Sequence, residues 1–139
     1  MKKVTKIICA MVCIAVTLSL FASCAQKLPE NFDKDKITDA SKYVVEHLSA
    51  RDYAAVNDIT RSDLREALSP EVLSGAVEQL LGSNKQLQSY KKIDIKAAKN
   101  KSTGEEYVVS VVKAEYKNKT VTYTLGFDKD MNLIMLYLR

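Results

Sequence analysis

Near Gly82 the chain changes its hydrophobic period, and this change limits the fold more than any single residue does. Before it, apolar residues recur every three or four positions: Ile37, Ala40, Val44 and Leu48 in one segment, and Leu73, Ala76, Val77, Leu80 and Leu81 in another. Such spacing lays an apolar stripe along one side of an α-helix. After it, the period is two. "KIDIKAAK" sets Ile93, Ile95 and Ala97 against Lys92, Asp94 and Lys96, and "KTVTYTLGF" sets Val121, Tyr123, Leu125 and Phe127 against Thr120, Thr122, Thr124 and Gly126. Two further stretches, "EEYVVSVVKAEY" and "LIMLYLR", are rich in β-branched, aromatic and other apolar residues, which also suits strands. Turn residues at 100–104, 117–119 and 128–132 separate the four. Connections this short join antiparallel neighbours, because a parallel crossover needs a dozen or more residues. Helices followed by strands predict an α+β fold, with N-terminal helices packed on one face of a curved four-stranded antiparallel sheet.

Local signals place the helix ends. Asp33 can cap a first helix, with Phe32 before it and Ile37 positioned as a hydrophobic staple. A break near Arg51 and Asp52 precedes a short helical stretch, "YAAVNDI". Thr60 with Asp63 three residues on predicts a capped helical start for "RSDLREAL". Ser69-Pro70-Glu71 opens the last helix with a capping hydroxyl, a proline at the first helical position and a carboxylate at the positive end of the dipole; Gly82 can close it.

The first 23 residues follow a different logic. Lys2, Lys3 and Lys6 precede residues 7–22, which contain no charge, Pro or Gly, as in an export signal. This run is shorter than the roughly 20 apolar residues of a membrane span. Its end, "LFASC", resembles the lipobox of bacterial lipoproteins: small residues Ala22 and Ser23 precede Cys24, and Phe21 stands where Leu is usual. The resemblance implies a signal peptide over 1–23 and a diacylglycerol thioether on Cys24, whose freed amine can take a further acyl chain such as palmitate. Two other outcomes stay open: cleavage before Gln26, with Ser23 and Ala25 as the small residues, or a retained anchor. In all three the lysines keep the N-terminus inside and the body of the protein outside the cytoplasmic membrane. The expected location is therefore the extracytoplasmic face of the bacterial cell membrane. Two lipid chains, at about 0.8 kcal/mol per buried CH₂, make a lasting anchor.

Residues 24–31 then form a tether and 32–139 a single domain. Seven extended residues reach roughly 23 Å. Loss of three lysines lowers the net charge from +4 to +1, so the basic composition is largely a targeting feature. Lys91, Lys92, Lys96, Lys99 and Lys101 cluster without an Arg and around Asp94, which reads as a solvated strand face and not as a nucleic-acid site. Cys9 and Cys13 leave with the signal, and Cys24 is left without a disulfide partner.

Chemical motifs are sparse. His47 is the single histidine and sits beside a helix stripe, too little for a dyad or a zinc site. "DKDMN" starts like a calcium loop, but Leu133 replaces the Gly of the sharp turn and Arg139 the bidentate Glu, which leaves a polar hairpin. Asn118-Lys119-Thr120 reads as a turn. No metal, cofactor or catalytic set is expected.

The stretch from about 52 to 138 resembles an uncharacterised bacterial domain family with a cystatin-like or nuclear-transport-factor-2-like roll. The likeness lies in "LSPEVLSGAVEQLLGSNKQLQSY", "YVVSVVKAEYKNKTVTYTLGFDKD" and "MNLIMLYLR". That domain sometimes precedes an α/β-hydrolase, and this sequence has no Gly-x-Ser-x-Gly nucleophile elbow. The resemblance implies a non-enzymatic module that binds a small apolar ligand in the roll or a protein partner on its surface. Val121, Tyr123, Leu125, Phe127 and Tyr43 are the candidate cavity-lining residues. Among the other tyrosines, Tyr53 and Tyr107 can also point inward. The alternative is a small isomerase- or hydratase-like enzyme using a buried carboxylate and a Tyr. Homodimerisation through the exposed sheet face is a further option.

Overall fold

A computed structural model describes residues 27–83 and 86–139; Cys24 and the signal segment lie outside them. Three helices come first: α1 (Lys34–Ser49), α2 (Tyr53–Asp58) and α3 (Pro70–Leu81), with a 3-10 turn at Ser62–Leu64. Four strands follow: β1 (Leu87–Lys99), β2 (Glu106–Tyr116), β3 (Lys119–Asp128) and β4 (Leu133–Leu138). They form one antiparallel sheet in sequence order, with α1 lying across β1, β2 and β3.

The helix ends follow the local chemistry. The Asp33 carboxylate accepts from the amides of Asp35 and Lys36, while Phe32 and Ile37 are both buried as a staple requires. Asp52 accepts from Ala55 N at the start of α2, and Ser69 accepts from Val72 N at the start of α3. Between α1 and α2, Arg51 adopts a left-handed backbone with φ 64°. Its guanidinium crosses to α3, donating to Glu78 Oε1 at 2.7 Å and to the Gly82 carbonyl at 2.6 Å. The cation thus ties the end of α1 to the negative end of α3.

The segment "RSDLREAL" departs from expectation, forming only the short 3-10 turn. Tertiary contacts have taken over the groups a helical start would use. The Thr60 hydroxyl donates backward to the Val56 carbonyl, Leu133 N donates to the Ile59 carbonyl, and Arg61 N donates to the Leu133 carbonyl. The chain here runs as a short bridge beside β4.

Alternation divides the sheet into two faces. Val108, Val112, Val121, Tyr123, Leu125 and Phe127 point at the helices and are buried against Ile37, Val44, Val45, Leu48, Leu73 and Val77. Each such aliphatic side chain contributes about 1.5–3 kcal/mol when fully buried. The opposite face carries Lys92, Val109, Val111, Lys113, Thr122, Thr124 and Tyr137. Nothing among the described residues is layered on it; Tyr137 is 61% exposed.

On that second face Gly126 stands between Val109 and Met135. A Cβ at 126 would lie 2.8 Å from the Met135 Cβ, closer than two carbons can approach, so the strands would have to part. Gly126→Ala is expected to destabilise the protein by about 1–3 kcal/mol, as overpacking does. Thermal unfolding followed by circular dichroism checks this, and an unchanged midpoint would contradict the close strand approach.

Candidate functional site

Four of the five expected cavity residues share one environment. Val121, Tyr123, Leu125 and Phe127 alternate along β3 toward the helices and retain 1% or less of their surface. A side chain lining a ligand-sized void keeps area exposed to that void, and these four keep almost none. Tyr43 is elsewhere. It lies on the outer side of α1, 38% exposed, with its ring centroid 4.0 Å from that of His47. The α1 stripe explains the difference, because Val44 and Leu48 take the inward positions and Tyr43 falls outside that arc. Tyr107 is on the outer face of β2, and Tyr53 is half-buried with an enclosed hydroxyl that has no hydrogen-bond partner.

Tyr123 ends a buried chain of hydroxyls. Its oxygen is 2.6 Å from Tyr116 Oη, which is 2.6 Å from Ser49 Oγ, and Ser49 donates to the Val45 carbonyl at 2.6 Å. Each hydroxyl has a single proton. With the Ser49 proton committed to Val45, Tyr116 donates to Ser49 and Tyr123 donates to Tyr116. Burial, with the adjacent Tyr116, pushes the Tyr123 phenol above its ordinary value. A second pair lies farther along α1. Ser41 Oγ is 2.7 Å from both Ser110 Oγ and the Ile37 carbonyl, and its hydroxyl is placed to donate to either.

Neither Tyr116 nor these serines stood out as a motif. Ser110 had a signal, since the alternation of "VVSVV" puts it on the same face as Val108 and Val112. A lone serine in such a position implies a partner on the facing helix.

Two polar groups lie outside this layer. His47 Nδ1 is 3.1 Å from Asp52 Oδ2 at the exposed end of α1. Arg61 binds Asp63 at 2.8 Å and Glu105 at 2.9 Å, with Asp128 at 3.9 Å. Asp128 is buried and accepts from Asp130 N, Asn132 N and Asn132 Nδ2, which closes the β3–β4 hairpin with Met131 left-handed at φ 63°. Those oxygens are occupied by donors from the turn itself. Among the described residues no cluster of three or more His, Cys, Asp or Glu is arranged to hold a metal, and no helix is long and apolar enough to cross a membrane. The helix-facing hydroxyls can donate and accept within the core, but they do not open onto solvent.

The direction of the hydroxyl chain sets an order of mutational costs. Tyr123→Phe removes only the terminal donor, expected to cost about 0.5–1.5 kcal/mol, whereas Tyr116→Phe strands the Tyr123 proton and is expected to cost about 1–3 kcal/mol. The double variant removes both partners and should be more stable than Tyr116→Phe alone. Chemical denaturation of the three variants measures the order, and a double variant less stable than Tyr116→Phe would reverse the assigned direction.

No curated protein matches the chain. A solved structure, the "NMR structure of protein from Ruminococcus gnavus ATCC 29149", is similar with a TM-score of 0.68 and 22% sequence identity. The match covers 80% of this chain and 95% of that one, and at this identity the likeness is one of fold. Residues 41–136 match the family described as "Protein of unknown function (DUF3887)". With more than half of its length matched, the chain belongs to that family.

Proposed function

We propose that this protein is an exported, lipid-anchored, non-enzymatic binding module that meets its partners through its surface. The observation that carries this reading is the near-complete burial of Val121, Tyr123, Leu125 and Phe127, which leaves the expected cavity lining committed to the core. Binding in the interior would require that packing to be rebuilt, at a cost of several kcal/mol for side chains of this size. Binding on an outer face requires no such change. The small-ligand version of the module is correspondingly the weaker one.

The isomerase- or hydratase-like alternative needs a carboxylate facing the interior beside a Tyr. Asp128 is the buried carboxylate among the described residues, and it is saturated by donors of its own turn. Glu46 bonds the Tyr90 hydroxyl at 3.0 Å on the exposed flank of α1, where burial of the ring and the carboxylate both push the phenol above its ordinary value. This pair lies on the exposed flank of α1 and not in the interior that the alternative requires.

The anchor assignment rests on "LFASC" and the basic, apolar segment before it. Mass spectrometry of protein extracted from membranes tests the anchor and the mode of binding together. Under denaturing conditions the mature chain should begin at Cys24 and carry the added mass of a diacylglycerol group. A start at Gln26 or at Met1 would overturn the anchor. Under native conditions the folded mass should equal the denatured mass; a stoichiometric small molecule retained only in the folded protein would overturn surface binding in favour of an interior site.

A further inference from the structure

The layers differ in charge as well as in secondary structure. Residues 27–83, which form the helices, carry seven Lys and Arg against eleven Asp and Glu, a net −4; residues 86–139, which form the sheet, carry ten against six, a net +4. The helices occupy one face of the sheet, so the charge is segregated across the thickness of the domain. The uncovered face carries Lys92, Lys96, Lys113 and Arg139 against Asp94 and Glu115, and three of the cations share one row. Lys92 of β1 pairs directly with Lys113 of β2, Lys113 with Thr122 of β3, and Thr122 with Arg139 beyond β4.

Like charges directly opposed on neighbouring strands are destabilising. Asp94 relieves Lys92 at 2.8 Å, and Glu115, two residues from Lys113 on the same face, is paired with Lys91 at 2.9 Å. Lysines on β1 have a structural use, since charge on an edge strand discourages pairing with other chains. Lys113 is on β2, an interior strand, where edge protection has no role. Beside this basic row lies an apolar band of Val111, Val109, Met135 and Tyr137, with Tyr137 the most exposed at 61%.

From this arrangement we infer that the uncovered face of the sheet seats on an anionic phospholipid bilayer, with Lys92, Lys113 and Arg139 toward the phosphates and Tyr137 at the headgroup level. The inference rests on the lipid-anchored reading above, and it names the partner of this face. Lysine suits it: a compact, mobile ammonium meets a diffuse negative surface without the fixed geometry that favours Arg in a specific bidentate site. Tyr is a residue of membrane interfaces, with an apolar ring and a polar tip. The same charge pattern turns the acidic helices away from the membrane. It also disfavours a second copy of the chain, because sheet-to-sheet pairing would oppose two faces that each carry more cations than anions.

The chain has no tryptophan, so Tyr137→Trp and, on the acidic side, Tyr43→Trp each introduce a unique fluorophore. Each full-length variant, extracted from membranes, is reconstituted into vesicles containing brominated lipid. One set is phosphatidylcholine alone; the other is an equal mixture of phosphatidylcholine and phosphatidylglycerol. The expected result is quenching at position 137 severalfold stronger in the mixed vesicles than in phosphatidylcholine, with little at position 43. Raising salt from about 0.1 M to about 1 M shortens the screening length from ~10 Å to ~3 Å and should abolish the difference. Lys92→Glu with Lys113→Glu should abolish it too, while leaving the two opposed residues alike in sign as before. Equal quenching in both lipids, or stronger quenching at 43, would overturn the inference. A concentration-dependent blue shift at 137 without lipid would also overturn it and assign the face to a second copy. Loss of vesicle association in phosphatidylcholine alone would count against the anchor; anionic-dependent quenching at 137 would still support the docking face.

Discussion

The seating of α1 on the sheet is the contact on which the other layers depend. Ile37, Val44, Val45 and Leu48 provide the driving force, but apolar burial is non-directional and tolerates sliding. Two polar points remove that freedom. Ser41 meets Ser110 near the middle of the helix, and Ser49 meets Tyr116 and Tyr123 at its end, eight residues or about 12 Å farther along. A shift of one residue would leave buried hydroxyls without partners, each a loss of about 1–3 kcal/mol. Once α1 is fixed, its last turn delivers Arg51 to Glu78 and to the Gly82 carbonyl, and the position of α3 follows.

A sheet with one covered face divides the labour of its strands. The inward positions are consumed by the core, including those where a ligand cavity was expected, so variation there is limited by packing. The outward positions owe the fold little beyond strand propensity, with the exception of Gly126, where the neighbouring strand leaves no room for a Cβ. Under the proposed binding role, recognition would fall on surfaces that can change without disturbing the core.

The sequence disclosed most of this arrangement through its two periods. The switch after Gly82 marks the boundary between layers, and the alternation in "KTVTYTLGF" marks the buried face of β3. Three features were harder to see. "RSDLREAL" has the local marks of a helix, but Thr60 and Arg61 are held by contacts with Val56 and Leu133, the latter more than 70 residues away in sequence. Tyr43 has the composition of a core residue and the helical angle of a surface one; only the stripe of neighbours that packs inward separates the two. The direction of the hydroxyl chain depends on where Ser49 sends its proton, which is a property of geometry and has no trace in residue order.

In the proposed reading, anchor and face would act in different ways on the same equilibrium. A lipid on Cys24 would supply permanence, and a short tether would hold the domain within tens of ångströms of the bilayer, so that the effective concentration of membrane seen by the sheet is high whatever its intrinsic affinity. A face with a few lysines and one well-exposed tyrosine is too weak to recruit a free protein durably, yet at such proximity it need only bias orientation. On this proposal the presentation would be ordered: the basic sheet would rest on the membrane, and the acidic helical surface, with Tyr43 and the 52%-exposed Val72 among its apolar points, would face outward. Weakness is useful in that role, because an orientation set by exposed charges responds to salt and lipid composition while the fold beneath it remains unchanged.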